Sequence, residues 1–138
     1  MPSILASATR GVLAAMTMSA ARTVTVELGL VEQTPPDAIF REGAPGLLSR
    51  VPPERRQAAV EIAHWLYGGA GGAVYGFLPK TVRRRALVGA VYGLVLWAGF
   101  EVALSPLLGL SREKESRPAE RVALAADHVL YGLVLSRR

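Results

Sequence analysis

Apolar residues in this chain collect into four long runs, separated by connections rich in proline and arginine. The runs fall at about residues 11–30, 57–78, 86–110 and 119–135. A helix needs ~20 mostly apolar residues to cross a bilayer, with a range of about 17–25. The third run is the clearest, 25 residues with Glu101 as its one charge. The fourth is the weakest, because Asp127 and His128 lie inside it. The pattern predicts an all-α fold: one transmembrane domain over residues 1–138, built as a four-helix bundle.

The connections differ in kind. Residues 31–54 hold Pro35-Pro36, Pro45 and Pro52-Pro53, which predicts an irregular loop with one short interfacial helix around residues 44–50. The second connection is short and basic, with Lys80, Arg83, Arg84 and Arg85. The third, residues 111–118, alternates charge sign and belongs in water. Arg10, the apolar stretch after it and Ser19-Ala20-Ala21 also mimic a signal peptide. The stretch is read here as the first span.

Two strings recur. His64-Trp65-Leu66-Tyr67-Gly68 matches His128-Val129-Leu130-Tyr131-Gly132, and Glu27-Leu28-Gly29-Leu30 matches Glu101-Val102-Ala103-Leu104. Each half therefore reads as a helix with a late glutamate, a loop, and a helix with an early His-x-Leu-Tyr-Gly. That is a parallel internal repeat of two similar hairpins. Gly68, Gly72 and Gly76 in the second run, and Gly89 and Gly93 in the third, recur every four residues and form smooth helix-packing stripes. Gly11, Ala15 and Ser19 make a weaker stripe. Such stripes let helices approach closely in lipid, within one bundle or across a homo-oligomer.

Composition narrows the chemistry. Hydrophobic residues make up 51% of the 138, and there is no cysteine, so disulfides and thiolate chemistry are excluded. The net charge is +5, and 14 of the 16 basic residues are arginine. They sit mainly between apolar runs rather than on an aromatic-basic stripe, which points to a lipid bilayer and not to nucleic acid.

The motifs, taken in order, resemble the YagU family of small bacterial inner-membrane proteins. The resembling pieces are Val26-Glu27, Thr34-Pro35-Pro36, Glu61-x-x-His64, Gly72-x-x-Tyr75, Pro79-Lys80, Gly89, Ser105-Pro106-Leu107-Leu108-Gly109-Leu110 and Asp127-His128. The first loop is shorter than in that family. The resemblance implies an inner-membrane location and a fold, and no particular reaction.

The candidate chemistry is a set of ionisable residues inside the apolar runs: Arg22, Glu27, Glu61, His64, Glu101, Asp127 and His128. A charge at bilayer depth costs about 2.5–3.5 kcal/mol or more, so these should face the bundle interior and pair. Four carboxylates meet one arginine and two histidines, which leaves negative charge over even with both histidines protonated. The expected role is a non-enzymatic network that pins the helices, senses or conducts protons or a cation, or serves an accessory subunit of a membrane complex. The competing reading is a metal- or haem-binding redox protein. Its metal candidates are Glu61, His64, Glu101 and His128, and its haem ligands would be His64 and His128. Neighbours Asp127 and His128 point about 100° apart on a helix, so the second Glu-x-x-His element of a di-iron bundle is broken. Pro106 should distort the third helix beside Glu101.

Basic residues of short loops favour the cytoplasm, and four cations crowd the second loop. Both termini are therefore expected on the cytoplasmic side.

Overall fold

The computed structural model describes residues 2–30, 39–107, 109 and 117–137. Among these, every regular element is helical. The α-helices are α1 (Pro2–Glu27), α2 (Pro45–Leu48), α3 (Arg56–Tyr75), α4 (Lys80–Arg83), α5 (Ala86–Gly99), α6 (Ser105–Leu107) and α7 (Pro118–Ser136). A π segment, Ile39–Gly43, precedes α2, and a second, Phe100–Leu104, joins α5 to α6. α1 packs on α3, α5 packs on α7, and α1 and α7 join the two pairs.

α1 starts at Pro2, nine residues before the expected boundary at Gly11, and ends at Glu27 rather than Leu30. Arg10 is exposed on this helix and does not precede it. The stop has a clear cause. Gly29 takes a left-handed φ of 67°, the Gly29 N–H bonds the Val26 carbonyl, and the Leu30 N–H bonds the Thr25 carbonyl. This is the Schellman arrangement that closes helix ends on glycine. Ala14 and Ala15 on α1 are 0% exposed, so this helix is part of the core and not an appendage to it. The proline-rich connection contains the expected short helix as α2, inside residues 44–50.

The third run is not one continuous α-helix over 86–110. α5 gives way at Phe100 to the π segment, which carries Glu101, and Pro106 follows within α6. Proline has no N–H to offer the preceding turn, and a wider turn absorbs the mismatch. α3 stops at Tyr75, three residues short of Leu78, as the chain turns toward Pro79.

The helices pair through small residues. A methyl group added to Gly68 would meet Ala15 Cβ at 2.5 Å, and one on Gly72 would meet Gly11 Cα at 2.8 Å. Gly76 faces Ile4 and Ser7 of α1. In the other pair, Gly132 abuts the Gly89 carbonyl and Gly93 abuts the His128 carbonyl. The same offsets relate both sets of contacts: Ala15–Gly68 corresponds to Gly89–Gly132, and Ser19–His64 to Gly93–His128. These are the offsets that carry Glu27 to Glu101 and His64 to His128. Backbones this close leave no room for side chains, and each glycine stripe packs against a neighbouring helix of the same chain.

Two hydrogen bonds fix which ends lie together. Arg83, the last residue of α4, reaches Ser7 Oγ near the start of α1 at 3.3 Å. Arg117, before α7, reaches the Gly29 carbonyl after α1 at 3.0 Å. The short basic connection thus shares one end with the start of α1, and the end of α1 shares the opposite end with the start of α7.

Ile4–Glu27 and Ala86–Leu107 are each long and apolar enough to cross a membrane. α3 and α7, of 20 and 19 residues, have the length but are less apolar.

Candidate functional site

The site lies between the two helix pairs. Arg22 of α1 and Asp127 of α7 are 4% and 5% exposed, and Arg22 Nε stands 3.8 Å from Asp127 Oδ2. This is an ion pair at longer than hydrogen-bond range, and Asp127 Oδ2 is buried without a hydrogen-bond partner among the described residues. α1 places Arg22 one turn beyond Met18, in line with the buried Ala14–Ala15 stripe, so the helix period itself turns Arg22 inward.

Beside this pair is a cavity of about 70 Å³, whose walls include Arg22, His64, Tyr67, Glu101, His128 and Tyr131. A water needs roughly 10–15 Å³ of such volume, so several fit. Trp97 also lines it, and its buried Nε1 has no hydrogen-bond partner among the described residues. Glu101 stands at the edge, 3.9 Å from the half-exposed Arg121 guanidinium. Tyr131 closes another side, its hydroxyl donating to the Gly68 carbonyl at 2.6 Å.

The histidines share a proton arrangement. His128 Nδ1 lies 2.8 Å from the Leu124 carbonyl, and a carbonyl can only accept, so Nδ1 carries the proton. His64 Nδ1 lies 3.3 Å from Ser19 Oγ. The Ser19 hydroxyl donates its one proton to Glu61 Oε2 at 2.6 Å and accepts from Trp65 Nε1 at 3.1 Å. His64 therefore meets Ser19 as an N–H donor. In both rings Nε2 is left as the basic nitrogen.

Two sequence expectations change. Glu27 is exposed at the C-terminal turn of α1, because Gly29 ends the helix there, and it lies outside the cluster. Glu61 does not line the cavity; it is held on Ser19, one layer away. Among the described residues, no group of three or more His, Asp or Glu side chains is placed to hold a metal ion. His64, Glu101 and His128 do share the cavity, with Arg22.

No family model, curated protein or solved structure matches this chain.

Some contributors were not singled out by the sequence. Spacing presents Ser19 as a small residue, yet it joins Glu61, His64 and Trp65. Tyr92 donates to the Gly71 carbonyl and Tyr75 to the Arg83 carbonyl, and their rings lie 4.9 Å apart. The tyrosines recur on the apolar helices, and a hydroxyl inside an apolar run signals a partner across the helix pair.

Proposed function

We propose that this chain is a small polytopic protein of the bacterial inner membrane that crosses the bilayer four times. It is non-enzymatic, and its central cavity takes up and relays protons. The YagU-like order of motifs agrees with this location. The recurring contact offsets support reading the two hairpins as an internal repeat.

Charged residues are buried beside the apolar core, and large apolar side chains are exposed. Arg22, Asp127 and Glu120 are buried, while Leu66, Val95 and Val102 are 60% exposed or more. Only 11% of the apolar stretch within Ala86–Leu107 is covered by its own chain, which does not suit the core helix of a soluble fold. A lipid surrounding suits such a surface.

The observation that carries the proton reading is the pair of unprotonated Nε2 atoms, on His64 and His128, bordering one cavity with room for several waters. Glu101 stands at its mouth, and Glu61–Ser19–His64 forms a hydrogen-bonded lead into it. Carboxylate–histidine chains inside a membrane are common relay chemistry. The Arg22 charge in the wall opposes any cation, and a proton differs from a metal ion in needing no coordination shell.

The test is proton flux in liposomes loaded with a pH dye. The native chain should dissipate an imposed gradient at least ~10-fold faster than a variant carrying His64→Gln and His128→Gln, consistent with the usual size of a proton-transfer contribution. Flux equal to that of empty liposomes refutes the reading. The same two free nitrogens are what a metal- or haem-binding redox protein would use. A cavity of about 70 Å³ is small beside the ~300–1,000 Å³ of cofactor-sized sites. A Soret band or stoichiometric metal in purified protein decides for that alternative.

A further inference from the structure

The cations at the other end of the molecule lie on stretches of sequence that carry no acid. Residues 1–26, 62–100 and 128–138 contain no aspartate or glutamate. These segments supply most of α1, most of α3, α4, α5 and the second half of α7. At the end where α4 lies, Lys80, Arg84, Arg85 and Arg137 are all exposed. Arg83 is turned inward instead, donating to Ser7 Oγ and to the Gly76 carbonyl, and so anchors the connection. Arg137 belongs to the same end, because Ser136 packs on Gly89 one turn into α5.

Apolar side chains stand just inside these cations. Phe77 is 74% exposed, Leu87 75% and Leu5 73%. A soluble anion has no use for such neighbours. A phospholipid has use for both, its phosphate on the cations and its chains along the rings and branched side chains.

We propose that this end, formed by α4, the start of α5 and the end of α7, binds an anionic phospholipid of the phosphatidylglycerol type. Lys80, Arg84 and Arg85 hold the headgroup, and Phe77 and Leu87 lie against the acyl chains. The inference rests on the membrane reading above and adds to it a lipid preference at one end.

The experiment mixes purified protein in uncharged detergent with equal amounts of phosphatidylglycerol and phosphatidylcholine, and weighs the retained lipid by mass spectrometry. The native chain should retain phosphatidylglycerol in roughly fivefold or greater excess, the preference that about one engaged cation supplies. Lys80→Gln, Arg84→Gln and Arg85→Gln together should bring the ratio to parity. Arg84→Lys with Arg85→Lys should restore it, which separates lost charge from lost folding. Parity in the native chain overturns the proposal, as does an unchanged excess in the glutamine variant. Displacement of the bound lipid by millimolar inorganic phosphate, or by polyglutamate, also overturns it, since the chains would then contribute nothing. Flotation with pure phosphatidylcholine vesicles keeps the two claims apart. A chain that does not float fails as a membrane protein and takes this inference with it; one that floats and shows parity fails here alone.

Discussion

Arg22 and Asp127 face each other across the junction of the two helix pairs, 3.8 Å apart, with 4% and 6% of their side chains exposed. Opposite charges so placed interact strongly, and removing one leaves the other buried in a medium that solvates it poorly. Asp127→Leu should cost about 3–5 kcal/mol of stability. Arg22→Met combined with Asp127→Leu should cost less than Asp127→Leu alone. Unfolding in mixed micelles measures both. A double variant weaker than the single would mean that the pair does not act as a unit.

Helix contact sets a second expectation. The Cβ that Gly132→Ala adds is driven into the Gly89 carbonyl, and the one that Gly93→Ala adds into the His128 carbonyl. Neither backbone can yield without parting α5 from α7, so each change should destabilise by about 1–3 kcal/mol. Gly99 has nothing within 4 Å of its added methyl. Gly99→Ala should be neutral or should stabilise by roughly 0.5–1 kcal/mol through helix propensity. Thermal melts of the three variants check this, and equal effects at all three would contradict the close pairing.

Ser19 offers a third. Its hydroxyl joins Glu61, His64 and Trp65. Ser19→Ala leaves the Glu61 carboxylate and the Trp65 N–H without that partner, a loss of roughly 1–3 kcal/mol. Trp65 emission, read in a Trp97→Phe background, should shift as its N–H bond is lost. Unchanged emission with unchanged stability would make the network incidental.

Much of this arrangement is legible in the sequence, for physical reasons. Long apolar runs mark helices whatever their partners, so four long helices follow from hydropathy. The recurrence of His-x-Leu-Tyr-Gly marks equivalent packing positions because a glycine after a tyrosine at fixed spacing serves one contact, Gly68 on Ala15 and Gly132 on Gly89. What escapes the sequence is set by geometry between segments. Arg10 reads as a boundary charge, yet an exposed arginine on a helix can carry its charge to the interface, so the helix runs on past it to Pro2. Glu27 reads as buried by its position, and a glycine two residues later ends the helix and leaves it exposed. Ser19 looks like one more small residue, because spacing alone cannot separate a hydroxyl that bonds from one that merely fits.

Orientation gives a fourth expectation. Lys80, Arg83, Arg84, Arg85 and Arg137 gather at one end, which also receives the start of α1. That end should face the cytoplasm. A cytoplasm-only fluorescent reporter fused after Arg138 should be bright, and alkaline phosphatase fused there inactive. The opposite pair of results inverts the orientation and turns Glu101 toward the cytoplasmic side.

The central claim is that all four long helices lie in lipid, α3 and α7 included, although those two are the less apolar. The chain contains no cysteine, so single cysteines can be introduced against a silent background. Leu66 on α3 and Val122 on α7 are 67% and 69% exposed, and Val95 on α5 is 60% exposed. In membranes, a water-soluble maleimide should leave Leu66→Cys, Val95→Cys and Val122→Cys unlabelled. It should label Arg84→Cys and Arg55→Cys, from opposite sides of the membrane. Rapid labelling at Leu66 and Val122, with Val95 still protected, would put α3 and α7 in water and contradict the four-span account.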